Sequence, residues 1–194
     1  TRMTAQHPEA LLAVSRVVPT SPVVLVDIAR GGIIPSYVLQ RELLTLLDPD
    51  VVRVDHLYYQ RVTDEAGHVV GVSASGSKIG GSVAGATLMV PDPMAATGGS
   101  LCRALETYAA RTDGSPARVI ALHLIVTPEH LKRVTSAFPH VHIYALRVDR
   151  GLSSPEVLAS EPGARWSEER GLDAHDYIVP GAGGLGELLN NSWV

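Results

Sequence analysis

Short β-branched apolar runs alternate along the chain with stretches whose apolar residues recur at helical spacing. Residues 23–28 (VVLVDI) predict a buried strand. Ile34, Val38, Leu39, Leu43 and Leu46 follow near helical spacing, and Asp48-Pro49-Asp50 stops that helix. Residues 51–59 predict a second strand. The polar stretch 61–78 carries alternating valines and predicts a hairpin or mobile flap. Residues 86–90 predict a third core strand, and 100–110 a helix with Leu101, Ala104, Leu105 and Tyr108 on one face. Another strand is expected at 118–126. Thr127 can cap the next helix, Pro128 fits its first position, and Phe138-Pro139 ends it. Residues 141–148 predict a fifth strand. The stretch 151–170 is rich in Ser, Pro and Glu without a clear period, and reads as an inserted loop. Residues 177–179 predict a short strand before a glycine-rich tail. This alternation predicts an α/β fold with a mainly parallel sheet covered by helices on both faces. In such sheets ligands bind beyond the carboxyl ends of the strands, so the loops there are where chemistry is expected.

Composition narrows the class. At 194 residues the expectation is one domain spanning 1–194. Apolar residues at 45% and charged residues at 19% are globular values, not those of a disordered chain. A net charge of −4 argues against a surface built for nucleic acid or an anionic membrane. The lone Cys102 forms no internal disulfide, and no apolar run approaches the roughly 18 residues of a membrane span. With no signal-peptide pattern, a cytoplasmic location is the expectation. Cys102 reads as a packed thiol. His123, His140 and His142 lack metal-site spacing and read as structural or surface residues. Trp166 reads as a hydrophobic plug of the 151–170 loop or a stacking cap on a base pocket.

Three loops after strands carry candidate chemistry. In the segment from Asp92 through Pro93, Met94, Ala95, Ala96, Thr97, Gly98 and Gly99 to Ser100, two glycines free backbone amides. Those amides, two hydroxyls and a helix N-terminus make an anion nest suited to a phosphate monoester. Asp92 can accept hydrogen bonds from sugar hydroxyls. No Gly-Lys-Ser/Thr follows, so this is not a Walker A loop. In Ala29-Arg30-Gly31-Gly32, the glycines again free amides and Arg30 offers a charge-assisted fork to phosphate oxygens. The third segment runs from Gly171 through Tyr177, Ile178 and Gly181 to Gly183 and Gly184. For each loop the plain alternative is a turn whose glycines serve geometry alone.

DPMAATGGS resembles the phosphoribosyl-pyrophosphate (PRPP) loop of type I phosphoribosyltransferases. It is most similar to the uracil phosphoribosyltransferase version, where a proline follows the first acid. ARGG resembles the pyrophosphate loop of that fold, and YIVPG with its glycine turn resembles the uracil-recognition segment. Residues 58–78 resemble the family's flexible hood, 151–170 stand as an insertion, and 171–194 as the base-recognition segment. The resemblance implies that Gly31, Gly32, Asp92, Ala95, Ala96, Thr97, Gly98, Gly99 and Ser100 bind PRPP. It further implies that Asp92 and Arg30 serve catalysis, that Tyr177, Ile178, Gly181 and Gly183 meet the base, and that Arg61 and Lys78 reach in from the hood. It implies Mg²⁺ held mainly by PRPP, with no direct protein ligand, and a homodimer with neither membrane nor nucleic-acid partner. The expected reaction converts PRPP and a nucleobase, uracil, into a nucleoside monophosphate (UMP) and pyrophosphate. Gly184 and Leu188 replace a family acid and arginine, the family's Arg-Ala is Ala29-Arg30 here, and the 151–170 insertion is extra. These departures leave open a different heterocyclic base or a non-catalytic PRPP-binding regulator.

Overall fold

The computed structural model describes residues 18–65, 69–111, 113–189 and 191. A seven-stranded sheet forms from β1 (Val23–Ala29), β2 (Val52–Thr63), β3 (Val69–Lys78), β4 (Thr87–Pro91), β5 (Met94–Ala95), β6 (Arg118–Val126) and β7 (Val141–Val148). Its path is β3-β2-β1-β4-β6; β5 continues alongside β6, which also pairs with β7. Every pairing is parallel except the β2–β3 hairpin, which is antiparallel. Helices α1 (Ile33–Leu43), α2 (Gly99–Arg111) and α3 (Pro128–Ala137) are the crossovers, and α4 (Pro155–Leu158) and α5 (Leu185–Leu189) are short. The β1–α1–β2 crossover steps one way along the sheet; β4–α2–β6–α3–β7 steps the other. Right-handed crossovers in opposite directions place α1 on one face and α2 with α3 on the other. The main core lies under α2 and α3, where Val24, Val26, Leu88 and Val90 meet Leu101, Leu105, Tyr108 and Val134. This is the mainly parallel α/β fold that the alternation predicts.

Most elements fall where the hydrophobic pattern puts them, and the exceptions have physical causes. Helix α1 ends at Leu43, short of the predicted 47, because Leu47 turns inward and the Asp48 amide donates to the Pro19 carbonyl at 2.9 Å. Its buried position is Ser36, whereas Ile33, Ile34, Tyr37 and Val38 are exposed. The helix approaches the sheet through small residues, and its apolar stripe points outward. On the same face, over β6 and β7, Leu124, Tyr144 and Leu146 are also exposed, with no described helix above them. The stretch 151–170 is more than a loop. Ser154 caps α4, and Arg150, 8% exposed, pairs at 3.1 Å with Glu169, which is fully buried. The predicted strand at 177–179 is reduced to one antiparallel bridge, Leu172–Ile178. Val179 N donates to Gly171 O at 2.8 Å and Asp173 N to Tyr177 O at 3.0 Å, the two bonds of that bridge, while Val179 O accepts from Gly151 N. Trp166 is half-buried, with the Lys132 ammonium 5.5 Å from its ring centre, so it is no buried plug; Val157 is the apolar residue buried in that knob.

Candidate active site

The two glycine turns lie side by side at the carboxyl ends of β1 and β4. After β1 the Ala29–Arg30 peptide is cis, and Gly32 N donates to the Ile28 carbonyl at 2.9 Å. A Cβ at Gly32 would lie 2.7 Å from Ile28 N and 3.1 Å from Pro91 O, so only glycine lets this turn press against β4. A Cβ at Gly31 would sit 3.4 Å from Asp92 Oδ1. The candidate pyrophosphate turn and the candidate ribose acid are thus neighbours, with room for about a methyl group between them.

The second turn is held from beneath by the β6–α3 junction. Leu124 N and Ile125 N donate to Pro93 O, Thr127 N to Ala95 O, and Thr127 Oγ1 to Ala96 O. Thr127 Oγ1 also accepts from His130 N at 3.0 Å, which is the predicted helix cap. Gly98 takes φ +77° and passes the chain into α2, and Gly99 N donates to Thr97 Oγ1 at 3.4 Å. Ala95, Ala96, Gly98 and Gly99 are buried, while Asp92, Thr97 and Ser100 are half-exposed. The loop therefore fixes its backbone inward and offers its carboxylate and hydroxyls outward, next to a helix N-terminus. Asp92 Oδ1 accepts from Met94 N at 3.2 Å.

A cavity of about 530 Å³ opens beside this loop. It brings Thr97 and Gly99 together with Arg103, Arg133, Leu172 and Asp176, and with Gly71 of the hairpin. From the candidate base segment it takes Leu172 and Asp176, and not Tyr177, Ile178, Gly181 or Gly183. Tyr177 is 66% exposed and Gly183 is exposed with open space around it. Gly184 and Leu188 are exposed too. On the hairpin, Lys78 is exposed and registers with His56, level with Asp27. Arg61 registers with Val72, and its side chain lies outside the described residues.

Several supporting residues carry no local sequence signal. Asp149, 2% exposed, accepts from Gly181 N at 2.8 Å and from Arg147 Nη2 at 2.9 Å, which docks the candidate base turn on the end of β7. The Glu129 carboxylate accepts from Gly171 N at 3.0 and 3.1 Å and holds the start of the same segment. Asp55 ties the hairpin to the core by accepting from Gly80 N, Arg53 and the Tyr108 hydroxyl. Asp27 bonds His56 Nδ1 at 2.8 Å, yet burial holds its carboxyl above the usual aspartate range. Cys102 is buried and its thiol is pushed up by burial, as expected of a packed residue rather than a nucleophile.

Comparison with known proteins identifies the family. The profile of the family described as uracil phosphoribosyltransferase matches residues 1–163. This chain belongs to the uracil phosphoribosyltransferase family. The uracil phosphoribosyltransferase of Aquifex aeolicus is 30% identical over 134 residues, covering 69% of this chain and 45% of that protein. That of Thermococcus sibiricus is 32% identical over 101 residues, covering 52% and 34%. The chain thus spans less than half the length of these two relatives. A solved structure of an Aquifex aeolicus protein superposes with a TM-score of 0.62 at 29% identity, covering 86% of this chain and 64% of that one. That structure shares this chain's mainly parallel α/β architecture.

Proposed function

We propose that this uracil phosphoribosyltransferase family member transfers the 5-phosphoribosyl group of PRPP to uracil, giving UMP and pyrophosphate. The observation that carries the reading is the junction of the two turns: a methyl group added at Gly31 would touch Asp92, and one added at Gly32 would crowd Pro91. One continuous surface then offers groups for both ends of PRPP. The Thr97 and Ser100 hydroxyls, with the amides of Gly98 and Gly99, would take the 5′-phosphate, and Ala95 and Ala96 supply the fixed backbone. Asp92 would orient the ribose hydroxyls. Arg30 and the turn at Gly31 and Gly32 would take the pyrophosphate. Breaking the C1–oxygen bond builds positive charge on the ribose and negative charge on the leaving group, so positioning and electrostatics do most of the catalysis. The base nitrogen attacks C1 as the bond to pyrophosphate breaks, its proton leaves to solvent or to the departing pyrophosphate, and no protein nucleophile is required.

Among the described residues no group of three or more His, Cys, Asp or Glu side chains converges. We further propose a Mg²⁺ carried on PRPP's own oxygens, where it would supply Lewis-acid stabilisation of pyrophosphate. We assign base recognition to the Tyr177, Ile178, Gly181 and Gly183 turn, supported by its docking through Asp149. We take the enzyme to be a cytoplasmic homodimer. The uncovered Ile33, Ile34, Tyr37 and Val38 on α1, with Leu124, Tyr144 and Leu146 on the sheet, support a second copy on that face. No described helix is long and apolar enough to cross a membrane.

A second reading keeps the chemistry and changes the base. It is favoured by exposed Gly184 and Leu188 where the family carries charge, and by the ordered knob at 151–170. Pyrophosphate release from PRPP with Mg²⁺, across uracil, the other natural bases and modified heterocycles, tests both. Release with uracil supports the first reading, and release with another base alone supports the second. No release with any base sinks the enzyme reading.

A further inference from the structure

Two buried histidines form the floor of the phosphate loop. His123 on β6 and His130 on α3 are 6% and 2% exposed, with ring centroids 4.8 Å apart and planes at 76°. His123 Nδ1 lies 2.6 Å from the Asp92 carbonyl oxygen. A carbonyl only accepts, so Nδ1 carries a proton. Burial drives both rings towards the neutral form, which makes His123 the Nδ1–H tautomer with a bare Nε2. His123 Nε2 and both ring nitrogens of His130 are buried without a hydrogen-bond partner among the described residues. Of the pair's four ring nitrogens, His123 Nδ1 alone bonds the loop among the described residues, at the Asp92 carbonyl.

Asp92 stands between Pro91 and Pro93. Its own N–H goes to the Leu122 carbonyl at 3.0 Å. The Asp92–Pro93 peptide has no N–H, so its carbonyl is the only strong handle by which the protein can set that plane. His123 holds that handle. His130 supports the arrangement from the far side: a Cβ at Gly98 would lie 3.5 Å from its Nδ1, so the ring fills the space between the loop and His123.

We infer that His123 is a positioning residue for Asp92: its Nδ1–H fixes the Asp92–Pro93 peptide and so aims the Asp92 carboxylate at the ribose hydroxyls of PRPP. The inference rests on the PRPP reading above.

The test compares the wild-type chain with His123→Phe, His123→Asn, Asp92→Ala and the His123→Phe/Asp92→Ala double variant. Binding of Mg²⁺–PRPP is followed by calorimetry and folding by thermal melting. His123→Phe keeps ring volume without the donor and weakens PRPP binding about tenfold, the scale of one buried hydrogen bond. His123→Asn places an amide N–H near the lost Nδ1–H and recovers most of that loss. The double variant binds no more weakly than Asp92→Ala alone, because the group that His123 aims is already gone. Wild-type binding by a folded His123→Phe, or fully additive losses in the double variant, overturns the inference. Imidazole ¹⁵N spectra of the ligand-free wild-type chain give a readout that needs no turnover and no variant. A neutral His123 protonated on Nδ1 is expected, and a proton on Nε2 overturns the inference. A chain with the expected spectrum that binds no PRPP instead overturns the substrate reading, and with it the role given to Asp92.

Discussion

Replacing Gly32 by alanine separates the two substrate turns at the point where they are pressed together. The added methyl carbon would lie 2.7 Å from Ile28 N, 2.9 Å from Ile28 O and 3.1 Å from Pro91 O. All three are backbone atoms of strands β1 and β4, which cannot step aside as a flexible side chain would. Relief requires Gly32 to move outward, which breaks its 2.9 Å bond to Ile28 O and loosens the first turn of α1 at the Ser36 amide. Overpacking of this kind costs about 3 kcal/mol. At roughly 2–4 °C per kcal/mol for a chain of this size, the melting temperature falls by roughly 6–12 °C. Gly31→Ala is the internal control. Its methyl would meet Asp92 Oδ1 at 3.4 Å, an ordinary contact, with Pro93 next at 3.7 Å. Gly31→Ala should therefore melt within about 2 °C of the wild type. It should still lose PRPP affinity, because the methyl lies against the substrate-facing acid. Thermal melting followed by circular dichroism, with PRPP titration by calorimetry, reads both effects. Equal melting of Gly32→Ala and the wild type would refute the packing argument, as would a Gly31→Ala that melts as low as Gly32→Ala.

Other perturbations follow from the buried charges. Glu169→Gln leaves the Arg150 guanidinium buried without its counter-charge and should destabilise the chain by about 3 kcal/mol in urea denaturation, while exposed Glu168→Gln, on Arg165, should change it little. Burial raises the Asp27 carboxyl above its ordinary 3.8, so its neutral form is favoured in the fold and stability falls as pH rises through the folded value. Asp27→Asn should therefore melt higher than the wild type at pH 7, with the difference vanishing below pH 3.8; no gain at pH 7 would contradict this. His130 is held at about 3, so below its ordinary 6.5 the unfolded chain binds the extra proton. Stability should fall as pH drops from 6.5 towards 3, with His123 contributing in the same direction, and His130→Phe should flatten that limb of the melting-temperature profile.

Much of this molecule is legible from local pattern, and the remainder is tertiary. The bounds of β6 and β7 and the Thr127-Pro128 start of α3 follow from β-branched runs and capping chemistry, which act within a few residues. The two glycine turns are legible because close backbone approach demands glycine next to a strand end. The outward stripe of α1 is not, since periodicity shows which residues share a face but not whether that face turns inward. Strand β5 has two residues and no period to detect. Residues 151–170 lack periodicity because a buried ion pair and a capped single turn organise them rather than an apolar face. The supports of the site, His123 under Asp92 and Asp149 under Gly181, join residues 31 or 32 positions apart, and neither type is distinctive where it stands. The glycine turns are therefore visible in the sequence, while the groups packed beneath them emerge only with the fold.

Everything proposed for this chain rests on the joined turns making one PRPP-cleaving site. This is tested most directly by following the ³¹P spectrum of wild-type chain with PRPP, Mg²⁺ and uracil, beside the Asp92→Ala variant. The wild type should convert PRPP resonances into those of pyrophosphate and UMP in equal amounts, while Asp92→Ala should be slower by at least about a hundredfold, the scale on which losing a positioned group in the transition state is felt. Equal rates in the two chains would contradict it.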